Sequence, residues 1–360
     1  MGSTTSLGKV SAVVVNYNGA AYLDECLASI EALAGGVDEV IVVDNASTDA
    51  SRTLLAARAP RVRTIALATN DGPCPARNAG MRAARNRWVL ALDNDAVLEP
   101  DVLAKLVRAA ENDPTAAIVQ PRSVFFTERT RVHYDGGRFH YAGLIALRNF
   151  YRPIAAAEGH GTLAVDCAVS VALLVDRDAA LEAGGYDERF FILFEDLDLS
   201  YRLRALGRRI LSVEDALVLH KGGTPGISFR EGPRYPGSRV FFHSRNRWLF
   251  MAKDFSAWTL IVTSPGWLAY ELVWLAFAIA SGALGAWWRG KVAFAHSFAE
   301  TRRLRRAFQS RRVLGDRALL VGGPMTVTPA VRSSAAKSAL LWMLDGWMRA
   351  WWCVARIVVR

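Results

Sequence analysis

The sequence offers little cysteine. Its four, Cys26, Cys74, Cys167 and Cys353, stand far apart with no C-x-x-C among them, so neither a zinc cluster nor a disulfide framework is suggested and a reducing compartment fits. No G-x-x-x-x-G-K-[ST] occurs, and no G-x-G-x-x-G follows the first apolar run, so neither a P-loop nor a dinucleotide fingerprint is present. Phosphate must be handled in some other way. The opening "MGSTTSLGKVSAVVV" lacks a long apolar core behind a basic start, so no secretory signal is expected; "MGSTTS" fits the N-myristoylation pattern only loosely and is set aside. A charged fraction of 22% excludes a polytopic membrane protein, yet 52% apolar residues is high for a purely soluble one. Acidic residues are scarce in the tail. Residues 241–360 hold 17 Lys and Arg against 5 Asp and Glu, while residues 1–240 hold 27 against 29, so the net charge of +10 belongs to the C-terminal third.

What is present first is a rhythm. Short apolar runs alternate with helical patterns between residues 10 and 121: "VSAVVVN", "YLDECLASIEAL", "DEVIVVD", a helix near 49–58, "RVRTIAL", a helix near 75–86, "RWVLALD", a helix near 100–111, and "AAIVQ". This predicts an α/β fold, a mostly parallel sheet with helices on both faces that binds ligands at the carboxyl ends of its strands. Those ends carry Asn16, Tyr17 and Asn18, then Asp44 and Asn45, then Asn70 and Asp71, then Asp93 and Asp95. Asn and Asp also cap helices, as "DNASTDAS" must in part. Four polar ends converging, one with an aspartate pair, point instead to a site. In a strand, residues i and i+2 share a side, so Asp93 and Asp95 repel unless a cation answers them.

Residues 122–163 read as irregular, mixing glycine, arginine and aromatics, and fit a long loop over the crevice. Beyond them the pattern gives a strand at 165–175, a short helix, a Gly-Gly turn, an acidic helix from Glu195 to about Leu206 and strands ending at His220. Glu195, Asp196 and Asp198 fill a first helical turn, where the helix dipole favours negative charge, and Asp198 can pair with Arg202 at i+4.

"VVVNYN", "VVDNASTD", "ARNAG", "LDNDA", "GGYDERFFILFEDLDLSYRLRALG" and "ALVLH" stand in the order seen in family 2 glycosyltransferases, and the sequence resembles their rhamnosyltransferase-like branch over roughly residues 10–250. The resemblance implies a GT-A fold, a nucleotide-diphosphate sugar donor, a divalent metal and inversion at the anomeric carbon. It assigns metal binding to Asp95 and His220, with Asp93 near the ribose and the metal's water, and the catalytic base to Asp196. Tyr17, Asp44 and Arg77, with Asn16 beside them, match positions that line the nucleotide. Asn94 occupies the variable centre of D-x-D. Glu195 takes a supporting role, orienting the acceptor or Arg202. Transfer needs a carboxylate base facing a cationic clamp on the leaving diphosphate, which these roles supply. Mg²⁺ or Mn²⁺ suits the oxygen donors, and the imidazole tilts the choice toward Mn²⁺.

"HSRNRW" (His243–Trp248) is expected to begin the next helix, its arginines either meeting a phosphate or forming a solvated face. Between Asp254 and Arg289 the only charged residue is Glu271, a stretch long enough for one membrane span. A single span would export "RRLRRAFQSRR" against the positive-inside tendency, so a re-entrant or interface-lying helical pair broken near Pro265 and Gly266 is expected. Ten of eleven tryptophans lie at or beyond Trp248. In the last helix Lys337, Asp345, Arg349, Arg356 and Arg360 share one arc while Trp347 and Trp351 face away, as in a helix lying on an anionic membrane. The expected layout is a catalytic domain over 1–250, with a nucleotide-sugar half at 10–121 and an acceptor half at 122–250, followed by membrane-associated helices over 251–360. Expected partners are a nucleotide-sugar, a polyprenyl-diphosphate-linked saccharide and the cytoplasmic face of a membrane, with a homo-oligomer as the other way to cover the apolar faces and no nucleic acid. The alternatives are a catalytically silent scaffold of a glycan-synthesis complex and a nucleic-acid-binding protein reading through "RRLRRAFQSRR".

Overall fold

The computed structural model describes residues 9–222, 235–327 and 334–360. The loose myristoylation pattern at residues 1–6 lies outside them. The strands are β1 (Val10–Asn16), β2 (Glu39–Asp44), β3 (Arg63–Ala66), β4 (Trp88–Asp93), β5 (Ala96–Leu98), β6 (Ala116–Phe125) and β7 (Val132–Tyr134). There follow β8 (Gly137–His140), β9 (Leu144–Leu147), β10 (Thr162–Val165), β11 (Ala172–Asp176), β12 (Arg209–His220) and β13 (Leu320–Val321). The helices begin with α1 (Leu23–Glu31), α2 (Ser51–Arg58), α3 (Pro73–Ala83), α4 (Val102–Glu111), α5 (Arg177–Glu182) and α6 (Glu195–Ala205). The C-terminal third adds α7 (Gly237–Asp254), α8 (Ala257–Val262), α9 (Ser264–Ala280), α10 (Leu284–His296), α11 (Phe298–Gln309), α12 (Asp316–Leu319) and α13 (Ala335–Ala355). These divide into two units, the first ending at Gly222 and lacking Gly137–Leu147 and Arg204–Gly207, which belong to the second.

In the first unit one sheet runs β10-β12-β6-β11-β4-β1-β2-β3, with β5 on β12 and β7 on β6. Strands β4, β1, β2 and β3 are mutually parallel, in the register Val15 beside Asp93, Asn16 beside Asp44, and Asp44 beside Ala66. Their carboxyl ends therefore share one edge, and the break in strand order between β1 and β4 is where such sheets bind ligands. The first four strands and four helices fall where the apolar rhythm puts them. Val10, Ala12 and Val14 of β1 join Leu23, Leu27 and Ile30 of α1 and Val102, Leu103 and Leu106 of α4 in one buried core.

Along its main path the sheet is mostly parallel, with β11 inserted antiparallel between β4 and β6. The structure departs from the sequence reading at two places in this unit. The strand expected at 165–175 is instead β10 and β11, separated by residues 166–171. Residues 122–163 are built rather than irregular: β6 extends to Phe125, and β7 pairs with it through a register shift. That extension carries Arg122 inside the sheet, where Asp135 and Glu214 accept its hydrogen bonds. A fully buried arginine with two buried acceptors reads as loop in a sequence because the compensating charges lie 13 and 92 residues away.

In the second unit β13, β8 and β9 form a small sheet, and helices supply the rest. The long apolar stretch breaks at Thr263, with Pro265 in the first turn of α9, as a proline at that position favours. Among the described residues no helix is long and apolar enough to cross a membrane. "HSRNRW" lies in mid-α7 rather than at its start, since Pro236 holds the N-cap. Arg247 is fully buried, so this is not a solvated basic face. Its guanidinium and the Lys291 ammonium both pair with Glu271, which also accepts hydrogen bonds from the indoles of Trp248 (3.2 Å) and Trp287 (3.1 Å). The one charge in the apolar stretch thus ties α7, α9 and α10 together. The basic run after it is partly structural too: Arg305 donates to the carbonyls of Ala252 and Phe255, and Arg312 pairs with Asp316. Arg302, Arg303 and Arg306 stay exposed. Replacing Glu271 by Ala strands the buried Arg247 and the half-buried Lys291, and Glu271→Ala should cost roughly 3–5 kcal/mol, read as a lowered midpoint in chemical denaturation.

Candidate active site

The tip of β4 decides the geometry. The strand ends at Asp93, and Asn94 and Asp95 form a turn into β5. β5 then pairs antiparallel with the end of β12, placing Ala96 opposite His220. The neighbouring Asp95 side chain lies 3.1 Å from Nε2 of His220. The Gly222 backbone N–H donates to the same carboxylate oxygen at 3.2 Å. A β-carbon added at Gly222 would stand 3.2 Å from that oxygen, tighter than ordinary contact, so glycine keeps the approach open. Burial pushes the Asp95 carboxyl up, but the hydrogen bond and charge of His220 and the Gly222 N–H outweigh it, leaving its pKa below the usual value.

Asp93 takes a different partner. Its carboxylate accepts from Nη2 of Arg77 at 2.8 Å, and Nη1 of the same guanidinium lies 3.5 Å from Glu195 and 3.8 Å from Asp196. Arg77 reaches this place from α3, which "GPCPARNAG" begins: Gly72 has φ +90°, and a β-carbon there would meet the Phe191 carbonyl oxygen at 2.5 Å. Burial lowers the Arg77 pKa, but Asp93, Asp196, Tyr186 and Glu195 outweigh it and leave the pKa above its usual value. Burial raises the Asp93 pKa in spite of Arg77.

The acidic helix start of α6 follows a bend in which Phe191, Leu193 and Phe194 all take positive φ, a conformation costing of order 1–3 kcal/mol per residue. Such strain persists where the surroundings over-determine it, as they do where Gly72 packs on Phe191. Glu195 is buried, and burial together with the Asp196 charge pushes its carboxyl up to about 8. Asp196 keeps 16% of its side chain exposed and is held by Ser170, which donates its backbone N–H at 2.8 Å and its hydroxyl to the two carboxylate oxygens. Asp198 is fully buried and pairs with Arg202, as i+4 spacing allows, and Arg202 also donates to the carbonyls of Ala183 and Gly185. Glu195 therefore faces Arg77, not Arg202, which Asp198 already occupies.

At the other strand ends, Asn16 donates to Asp44 and Ser47 and accepts from Asn94. Asp44 is 1% exposed and pairs with Arg52, while Tyr17 stands out at 47% exposure. Asn45 donates to Asn70 and to the Gly72 carbonyl, so all four strand ends are wired to one another. Asp49 accepts from the Ser51 N–H at the start of α2, the capping share of "DNASTDAS". Sequence reasoning missed Ser170, His133 and the bridging role of Arg77. The only signal for His133 was an imidazole inside "RVHYDGG", which irregular composition hid.

Among the described residues no group of three or more His, Cys, Asp and Glu side chains gathers to hold a metal. Two donors do meet, Asp95 and His220. Their 3.1 Å spacing is a hydrogen-bond distance, and it also matches adjacent ligands of an octahedral ion with bonds of about 2.1 Å. Mg²⁺-type ions are held by one or two side chains plus substrate phosphates and water, so the donor set fits such an ion and leaves positions for a diphosphate.

Residues 11–168 match the sequence profile of glycosyl transferase family 2. Over these residues the chain is a family 2 glycosyltransferase domain. The enzyme is 46% identical over 103 residues to the succinoglycan biosynthesis protein ExoO of Rhizobium meliloti, covering 28% of this chain and 30% of that protein. It is 28% identical over 272 residues to the N-acetylglucosaminyl-diphospho-decaprenol L-rhamnosyltransferase of Mycobacterium tuberculosis, covering 68% of this chain and 85% of that one. Its fold resembles GalNAc-T7, crystallised with UDP, GalNAc and Mn²⁺, with a TM-score of 0.57 at 16% identity over 74% of this chain and 52% of that one. The fold is GT-A-like, with a mostly parallel central sheet.

The raised Glu195 pKa has a stability consequence. Between about 4.5 and about 8 the folded enzyme holds a proton on Glu195 that the unfolded chain has released, so this group subtracts stability as pH rises through that window. Glu195→Gln should flatten the fall, visible as a smaller difference in urea midpoint between pH 5 and pH 8 than in the parent enzyme.

Proposed function

We propose that the enzyme is an inverting, divalent-metal-dependent transferase that moves a sugar, rhamnose foremost, from a nucleotide-diphosphate donor to a hydroxyl of a polyprenyl-diphosphate-linked saccharide. The observation that carries this reading is the 3.1 Å approach of His220 to Asp95 at the tip of β4, beside an Arg77 that bridges Asp93 to the start of α6. The rhamnose and the lipid-linked acceptor rest on likeness to the mycobacterial transferase, whose name carries both.

In this reading Asp95 and His220 would hold Mg²⁺ or Mn²⁺, which when bound neutralises the charge developing on the departing diphosphate. Asn16, Tyr17 and Asp44 line the nucleotide at the ends of β1 and β2. Asp93 keeps its place near the ribose through Arg77. Asp196 takes the proton of the acceptor hydroxyl as that oxygen bonds to the anomeric carbon, while the bond from that carbon to the diphosphate breaks on the opposite face. Ser170 fixes the orientation of this carboxylate, and each oxygen keeps a further lone pair for the acceptor proton. Glu195 supports from behind: the proton it retains removes one charge from the repulsion at the helix start. The catalytic assignment is to residues 1–250, with nucleotide binding in 10–121 and acceptor binding in 122–250.

The second unit favours a membrane surface as the place of work. Trp342, Leu272, Ile261 and Trp288 are 61–78% exposed, and the exposed Arg302, Arg303 and Arg306 lie on the same unit. Aromatic side chains with nearby arginines suit an anionic lipid surface lain upon, not crossed. The cytoplasmic leaflet is the corresponding address.

Asp196→Asn should lower turnover roughly 10²–10⁴-fold while donor binding persists, as read by nucleotide release with a panel of nucleotide sugars and a detergent-solubilised lipid acceptor. Near-normal turnover would reject Asp196 as base. Replacing Trp342 and Trp288 by Ser together should reduce flotation with anionic vesicles, and 0.5 M salt should weaken binding of the parent enzyme, by screening of the order that ionic strength imposes. Flotation unchanged by both would reject the membrane surface.

A further inference from the structure

His133 stands next to the residue on which the metal reading depends, and no motif assigns it. It lies in the middle of β7, which pairs with β6 at Ser123 beside Tyr134 and Val124 beside Val132. β6 pairs with β12, setting Phe125 beside His220. Two registers thus bring two imidazoles together, with Nδ1 to Nδ1 at 3.0 Å, ring centroids 4.9 Å apart and planes within 20°. His133 is 3% exposed, packed against Phe125 and Tyr134.

A hydrogen bond between two Nδ1 atoms requires one to donate and the other to accept. If His133 donates, a neutral His220 carries its hydrogen on Nε2, the atom facing Asp95, and that nitrogen has no lone pair for an ion. If His220 donates, its Nε2 lone pair points toward the Asp95 carboxylate. Only the second arrangement lets the two side chains act as donors to one cation. Ligating histidines commonly have the other nitrogen fixed in this manner by a neighbour, and loss of the neighbour costs metal affinity.

We propose that His133 is a positioning residue that accepts the Nδ1 hydrogen of His220, and so fixes the tautomer and ring plane in which Nε2 joins Asp95 as a donor to a divalent cation. The inference rests on the metal reading above, and the two are separable. Mn²⁺ alone is titrated into the full chain and unbound Mn²⁺ counted by electron paramagnetic resonance. His133→Phe keeps the ring packing and removes the acceptor; its Mn²⁺ affinity should fall roughly 10–100-fold. His133→Asn places an amide oxygen where Nδ1 stood, and should restore affinity to within about threefold of the parent. A merely structural role for His133 would not follow the presence of an acceptor. Parent affinity in His133→Phe, alongside weakened Asp95→Ala, overturns the role of His133 and leaves the metal reading intact. Undiminished affinity in Asp95→Ala overturns both. Should His133→Phe fail to fold, nitrogen NMR of the parent enzyme loaded with Mg²⁺ decides: hydrogen on Nδ1 of His220 supports the inference, and hydrogen on Nε2 alone overturns it.

Discussion

Two aspartates at the tip of one strand must be answered by positive charge, and the architecture around them is the answer. Isolated, Asp93 and Asp95 would repel and would lose hydration at the buried edge of the sheet. The fold gives each its own partner. Arg77, carried in on α3, takes Asp93, and His220, carried in on β12, takes Asp95. Because the strand ends at Asp93 and turns before Asp95, the two carboxylates diverge enough to serve different groups. The i, i+2 argument asks for a cation; Arg77 supplies one to Asp93, and Asp95 meets an imidazole instead.

This division organises the site electrostatically. Arg77 is shared between the strand tip and the acidic start of α6, so the guanidinium is the charge that lets three carboxyl groups stand near one another. Even so, it does not suffice for all three: Glu195, the most enclosed, holds a proton up to about pH 8. Asp196 differs from its neighbour by being partly exposed and held from Ser170. Two adjacent carboxyls in one helical turn are thereby set for different work, one buried and proton-bearing, one accessible and oriented.

The second unit follows the same rule with different materials. A single carboxylate in a long apolar stretch, Glu271, gathers Arg247, Lys291 and two indoles. Part of the basic excess of this unit is spent inside: Arg247 and Lys291 on Glu271, Arg312 on Asp316 and Arg305 on the carbonyls that end α7. What remains outside is a narrower set of arginines and a row of exposed apolar side chains on α8, α9 and α13. In α13 the buried stripe Leu344, Met348, Trp352 and Ala355 recurs at helical spacing, which leaves Trp342 and Trp347 facing outward.

The sequence by itself determined the alternation of β1 to β4 with α1 to α4, because apolar periodicity there is local and uninterrupted, and it determined which strand ends are polar. It also made the candidate site residues legible, since the Asp93–Asp95 pair, the acidic helix start and His220 stand out as residue types in order. Tertiary structure alone decided the pairings. The Ala96–His220 register, the reach of Arg77 from one carboxyl group to three, the hold of Ser170 on Asp196 and the contact of His133 with His220 all join residues 16 to 124 positions apart. Strand register across a sheet and compensation among buried charges depend on separations that no local pattern encodes. That is also why residues 122–163 look irregular in sequence: their order comes from partners elsewhere in the chain.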